Sequence, residues 1–329
     1  VNSASEGNEL ALRLARSYTG QRDMIVLEAA YHGNTTALID ISPYKHEGPG
    51  GTGPPAWVHK APIPECYRGL YRSNDSEAAR KYAGHVRDII GELQGKGIGI
   101  AGFIAETCPS VAGQIFLPEG YLPEVYRLVR KAGGLCIADE VQTGYGRIGT
   151  HFYAFEAENL VPDIVVLGKP IGNGHPVSAV VTTPEIAETF DTGMEFFSTF
   201  GGNTVSCAVG LTVLEVVLEE NLQANALKVG KRLLEGMNPF IERYPIVGDI
   251  RGSGLFLGVE LVRSRETLEP AKEEADFIVN RMREAGILLG TDGPFDNVIK
   301  IRPPMPFDES NADFLVANMD RVLKEDFSA

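Results

Sequence analysis

Two short apolar runs, each ending in one chemically reactive side chain, constrain this chain more than any other feature. Leu135, Cys136, Ile137 and Ala138 form an unbroken run that delivers Asp139. Ile164 to Leu167 form a second run that delivers Gly168 and Lys169. Short continuous apolar runs without polar alternation suit strands buried on both faces of a parallel sheet. The carboxyl ends of such strands open on one edge, where ligands of open α/β sheets sit. The pattern therefore presents a carboxylate and an amine along the same edge.

That pair suits pyridoxal phosphate, which needs a lysine for its Schiff base and an acid beside its pyridinium nitrogen. Most lysines that follow a strand are ordinary surface residues, so Lys169 alone proves little. The motifs ADEVQTGYGR, PDIVVLGKPIGNGHP and FFSTFGGNTVSCA supply the context. In content and spacing they resemble the class III (fold type I) pyridoxal-phosphate-dependent aminotransferase family. The resemblance runs along nearly the whole chain and is nearest to the branch of phospho-lyases acting on ethanolamine phosphate or phosphohydroxylysine. It implies an α/β fold of type I, a mainly parallel sheet with flanking helices, and a smaller C-terminal α/β domain. The expected division is a cofactor-binding domain over 1–210, then a linking helix and small domain over 211–329. It also implies that an N-terminal part of the family fold precedes VNSASEGNEL.

Read in order, the chain opens with Ser3 and Glu6 at capping-box spacing, predicting a helix to about Tyr18. A helix N-terminus holds anions through free N–H groups and its dipole. The resemblance puts the cofactor phosphate there, on Ala4 and Ser5. It makes Tyr31 the aromatic that stacks on the cofactor ring, and Glu106 an acid supporting the ring's hydrogen bonds. His32 is open between a cofactor or substrate contact and a structural role. The resemblance further gives Asp139 the ring nitrogen, Gln142 the ring hydroxyl oxygen, and Lys169 the covalent link and general base. Thr199 would reach across a homodimer with shared active sites to the other subunit's cofactor phosphate.

Ser42 to Pro64, with GPGGTGPP at its centre, lacks the strand and helix that frame a nucleotide-binding glycine loop, so a mobile surface loop is expected. Strands are expected at Met24–Leu27, Ile98–Ala105 and Val177–Val181, and in the small domain at Leu255–Val262 and Val298–Ile301. The formal net charge of −14 argues against nucleic acid as a partner. No apolar run is long enough for a membrane span, and no signal-peptide pattern opens the chain. Cys66, Cys108, Cys136 and Cys207 are widely spaced, which suits free thiols and a cytoplasmic protein. His46, His59 and His85 have no metal-ligand spacing, so no metal is expected.

Two departures from the family pattern bear on the reaction. The loop ETCPSVAG carries Val111 where aminotransferases using glutamate carry an acid, and KIRPP carries Lys300 where they carry a carboxylate-binding arginine. Arginine grips planar carboxylates as a fork, whereas lysine is a point charge suited to phosphate oxygen. Lys300, with Arg302 two residues on, is therefore expected to hold a substrate phosphate. The expected substrate is a small phosphorylated amine, foremost ethanolamine phosphate. Elimination of its phosphate would yield acetaldehyde, ammonia and phosphate without a keto acid. The alternatives are a class III ω-aminotransferase using pyruvate or glyoxylate, and a non-catalytic truncated relative.

Overall fold

The computed structural model describes residues 1–327. The chain divides into two compact units. The first comprises Val1–Thr107, Leu117–Tyr145 and Ala154–Val216; the second comprises Cys108–Phe116, Gly146–Tyr153 and the chain from Val217 onward.

The first unit is built on six strands: β1 (Asp23–Leu27), β2 (Val58–Ala61), β3 (Ile100–Glu106), β4 (Leu135–Asp139), β5 (Ile164–Leu167) and β6 (Ala179–Thr182). Their order is β2-β1-β3-β4-β5-β6, parallel except for β6, which runs antiparallel to β5. Alternate residues of β1 serve opposite faces, as strand geometry requires. Ile25 and Leu27 join one core with Tyr82, Val86 and Val125. Met24 and Val26 join the other with Leu12 and Ala15.

Helix α1 (Ala4–Thr19) supplies that second face. Its capping box is complete: Glu6 N donates to Ser3 Oγ at 3.2 Å, and Ser3 N donates to the Glu6 carboxylate at 3.1 Å. Gly20, with φ of 65°, closes it from the left-handed region. Two short helices follow β1, α2 (Thr36–Asp40) and α3 (Pro43–His46); α4 (Ala78–Gly95) and α5 (Tyr121–Lys131) cover the first face. Next come α6 (Pro184–Thr189) and α7 (Thr204–Glu219). The segment expected to be loop from Ser42 to Pro64 thus holds α3 and the edge strand β2. An edge strand needs no continuous apolar run, and only Val58 and Ala61 of β2 are buried.

The second unit carries an antiparallel sheet of β7 (Val247–Ser253), β8 (Phe256–Ser264), β9 (Glu269–Pro270), β10 (Gly290–Asp292) and β11 (Val298–Ile301). The order is β10-β11-β8-β7, with β9 added on β8. Helices α8 (Leu222–Met237), α9 (Pro239–Arg243), α10 (Lys272–Glu284) and α11 (Glu309–Phe327) complete it. Leu233, Phe240, Ile278 and Met319 pack with Leu257, Val259 and Ile299 of the sheet in one core.

Candidate active site

Parallel pairing puts Glu106 directly opposite Asp139, so two carboxylates emerge side by side from the ends of β3 and β4. Asp139 is almost fully buried and held at both oxygens. Its Oδ2 accepts from Asn8 Nδ2 at 2.8 Å and His32 Nδ1 at 2.9 Å. Its Oδ1 accepts from Val141 N at 3.2 Å. Asn8 Nδ2 also donates to the His32 carbonyl at 2.8 Å, tying α1 to the segment after β1. His32 is thus held against Asp139 through Nδ1. Tyr31 N donates to Glu106 Oε1 at 3.3 Å. Burial, then Tyr44 and Asp139, push the Tyr31 hydroxyl above its ordinary pKa, so the ring is a neutral wall.

These groups line one cavity of ≈ 460 Å³. Ala4, Ser5, Tyr31 and His32 line it, with Glu106, Asp139, Gln142 and Lys169. Eight of the residues expected from sequence thus surround one space. Thr199 does not line it: it is exposed on the segment between α6 and α7. Lys300 and Arg302 belong to the second unit. There Lys300 Nζ pairs with Asp292 at 3.0 Å, and Gln114 donates to the other Asp292 oxygen at 2.9 Å. Arg302 donates to Ser110 Oγ at 3.0 Å. Nearby, Arg147 donates to the carbonyls of Leu255 at 3.1 Å and Pro303 at 2.8 Å. Burial, with Arg302 close by, lowers its pKa to about 10. Both expected phosphate ligands thus have protein partners in the second unit, Lys300 with Asp292 and Arg302 with Ser110. Val111 also lies in this unit, its carbonyl accepting from Gly293 N at 2.9 Å.

Four features of this chain fit pyridoxal phosphate. First, the N-terminal turn of the 16-residue α1 lies on the cavity wall at Ala4 and Ser5, an anion-binding arrangement. Second, two buried polar atoms of lining residues, His32 Nε2 and Asn8 Oδ1, have no protein partner. Third, the glycines permit close approach. A Cβ on Gly33 would lie 2.8 Å from Ser5 Oγ, and one on Gly168 would lie 2.8 Å from the Ala4 Cβ. Fourth, Lys169 has φ of 28°, a costly conformation for a side-chain-bearing residue, kept at the residue that lines the cavity with an amine.

Sequence reasoning passed over Asn8, Glu140 and His175. Asn8 lies among the polar residues Ser5, Glu6 and Glu9 of α1, so nothing local set it apart. Fully buried Glu140 accepts four hydrogen bonds, from Thr107, Thr143, Ala154 N and Phe155 N, and burial raises its pKa. His175 lines the same cavity as Lys169. Among the described residues no cluster of three or more His, Cys, Asp or Glu could hold a metal ion, and no helix is long and apolar enough to cross a membrane.

The chain matches the Aminotransferase class-III family over residues 1–323. It is 50% identical over 318 residues to the alanine–glyoxylate aminotransferase 2-like protein of Drosophila melanogaster, a match covering 95% of this chain and 64% of the relative. It is 42% identical over 334 residues to ethanolamine-phosphate phospho-lyase homolog 1 of Caenorhabditis elegans, covering 98% of this chain and 72% of that protein. A phospholyase from Arthrobacter, solved in complex with phosphoethanolamine, superposes with a TM-score of 0.92 at 39% identity. That likeness covers 98% of this chain and 76% of the solved one. The chain thus spans about two thirds to three quarters of the proteins it matches. From the family match and the solved relatives together, this chain belongs to the class III aminotransferases, with the type I fold and pyridoxal phosphate as its cofactor.

Proposed function

We propose that this protein is a pyridoxal-phosphate-dependent phospho-lyase acting on ethanolamine phosphate. The observation that carries the reading is the 39% identical Arthrobacter phospholyase, whose complex holds phosphoethanolamine. The replacement of an acid by Val111 and of an arginine by Lys300 supports it. Pyridoxal phosphate, when bound, supplies the electron sink that makes the carbon beside the substrate amine acidic. Lys169 Nζ takes the proton from that carbon. Asp139, held by Asn8, His32 and Val141 N, would pair with the cofactor's ring nitrogen. The first turn of α1, at Ala4 and Ser5, would hold the cofactor phosphate. Loss of the Cα proton and cleavage of the Cβ–O bond release phosphate, and water then converts the remaining two carbons to acetaldehyde and ammonia.

The second reading is a class III ω-aminotransferase, favoured by the 50% identical fly relative. The test is incubation of the cofactor-loaded protein with ethanolamine phosphate and no keto acid. Equimolar phosphate and acetaldehyde are expected. Turnover that requires pyruvate or glyoxylate and leaves phosphate on the substrate would select the aminotransferase.

The same proposal includes a homodimer. Phe197 and Phe200, 72% and 68% exposed, flank Thr199, and Val205 and Leu211 of the adjoining α7 are also exposed. Exposed apolar side chains on this segment suit burial against a second copy. With its widely spaced cysteines, the protein is proposed to work in a reducing compartment such as the cytoplasm.

A further inference from the structure

We propose that His175 binds the phosphate group of the substrate, with Ser206 fixing its imidazole for that task. The inference rests on the lyase reading and names a residue that determines its substrate class. Among the described residues lining the cavity, three can carry positive charge: His32, Lys169 and His175. His32 is committed to Asp139 at 2.9 Å. Lys169 is committed to the cofactor and to the proton at the substrate carbon. His175 is left for the anionic end of a phosphorylated amine, in a cavity whose other charged groups, Glu106 and Asp139, are acids.

The backbone fixes where His175 stands relative to Lys169. Gly172 N and Asn173 N both donate to the Lys169 carbonyl, at 3.2 and 3.1 Å. His175 N donates to the Gly172 carbonyl at 2.9 Å. A Cβ on Gly172 would lie 2.1 Å from the His175 carbonyl oxygen, so the turn depends on that glycine. The lysine and the histidine are therefore two ends of one stitched turn.

The ring is oriented as well. His175 Nε2 lies 2.9 Å from the oxygen of Ser206, a residue only 3% exposed. Ser206 is itself held from both sides: its Oγ accepts from Asn203 Nδ2 at 2.9 Å, and its N–H donates to Asn203 Oδ1 at 3.0 Å. The Ser206 hydroxyl proton has two acceptors to choose from, His175 Nε2 at 2.9 Å and the Pro176 carbonyl at 3.5 Å. With the hydroxyl proton on the shorter contact, to Nε2, the neutral ring would carry its own proton on Nδ1. If the ring protonates, Ser206 turns acceptor and Nδ1 keeps its proton. In both states Nδ1–H is a donor, as a phosphate ligand must be.

The test uses the cofactor-loaded full-length protein with His175→Phe, His175→Asn and Ser206→Ala. Phosphate release gives KM for ethanolamine phosphate, inhibition by inorganic phosphate gives its Ki, and absorbance gives the affinities for cofactor and for unphosphorylated ethanolamine. A lost contact to an ionised group weakens binding about ten- to a hundredfold. His175→Phe is expected to raise KM and Ki by that factor, leaving cofactor and ethanolamine affinities within about threefold. His175→Asn, which keeps an N–H donor, is expected to recover much of the loss, and Ser206→Ala to fall between. Unchanged KM and Ki in His175→Phe overturn the inference and leave the lyase reading standing. Equal weakening of ethanolamine and its phosphate assigns His175 to the turn alone and also overturns it. A wild type that releases no phosphate removes the lyase reading and this inference together.

Discussion

Glu140 offers the most quantitative test of how the site is held, because its surroundings fix what a one-atom change does. Its Oε1 accepts from Thr107 Oγ1 at 2.7 Å and Phe155 N at 3.0 Å. Its Oε2 accepts from Thr143 Oγ1 at 2.7 Å and Ala154 N at 3.1 Å. Glutamine keeps the shape but turns one oxygen into a donor. Whichever way the amide faces, one backbone N–H loses its acceptor in the interior, and one threonine hydroxyl must rotate to accept. A buried unsatisfied donor costs about 1–3 kcal/mol. At roughly 2–4 °C per kcal/mol for a unit of this size, Glu140→Gln should lower the melting temperature by roughly 2–12 °C. The pH dependence adds a check. Burial raises the folded pKa of Glu140 above its ordinary value. Its stabilising share is therefore complete below the unfolded pKa and is lost as pH rises through the folded one. The gap between wild type and Glu140→Gln should narrow over that rise. Differential scanning of the cofactor-free proteins across pH measures both effects. A variant that melts with wild type throughout would refute the claim that this carboxylate clamps the ends of β3 and β4.

Asp139→Asn should leave cofactor binding detectable by absorbance and cut turnover on the order of 10²–10³-fold, because a fixed charge is lost from the reacting centre; near-wild-type turnover would contradict its role. Gly168→Ala places a Cβ 2.8 Å from the Ala4 Cβ. Overpacking of this kind costs about 1–3 kcal/mol, so cofactor affinity by fluorescence titration should fall about five- to 150-fold; unaltered affinity would show that α1 yields freely. Mixing Lys169→Ala with Thr199→Ala subunits should restore activity in heterodimers, where one site escapes both defects. No recovery after demonstrated subunit exchange would place Thr199 in its own chain's chemistry.

The central strands were legible because β3 and β4 are buried along their whole length, and burial on both faces leaves a continuous apolar run. The edge strand β2 was not, since His59 and Lys60 interrupt it; His59 instead pairs across to Asp23 of β1 at 2.8 Å. Strand β7 escaped for a related reason. Its Arg251 is satisfied by Asp249 and by Glu260 of β8, each at 2.7 Å, an arrangement that local periodicity does not reveal. The assignment of Cys108–Phe116 and Gly146–Tyr153 to the second unit depends on tertiary contacts alone. In the site, Asp139 and Lys169 could be read from strand ends. The contribution of Asn8 could not, because it requires knowing that α1 packs against the end of β4. The Asp292 that pairs with Lys300 was hidden likewise, since only the β10–β11 pairing brings them together.

The central claim is that the amine after β5 carries the cofactor, in a cavity walled by α1 and the ends of β3 and β4. Borohydride reduction of the cofactor-loaded protein, followed by peptide mapping, tests it most directly. The account predicts a single pyridoxyl label on Lys169, within the peptide PDIVVLGKPIGNGHP. A label on any other lysine, with Lys169 unmodified, would contradict it.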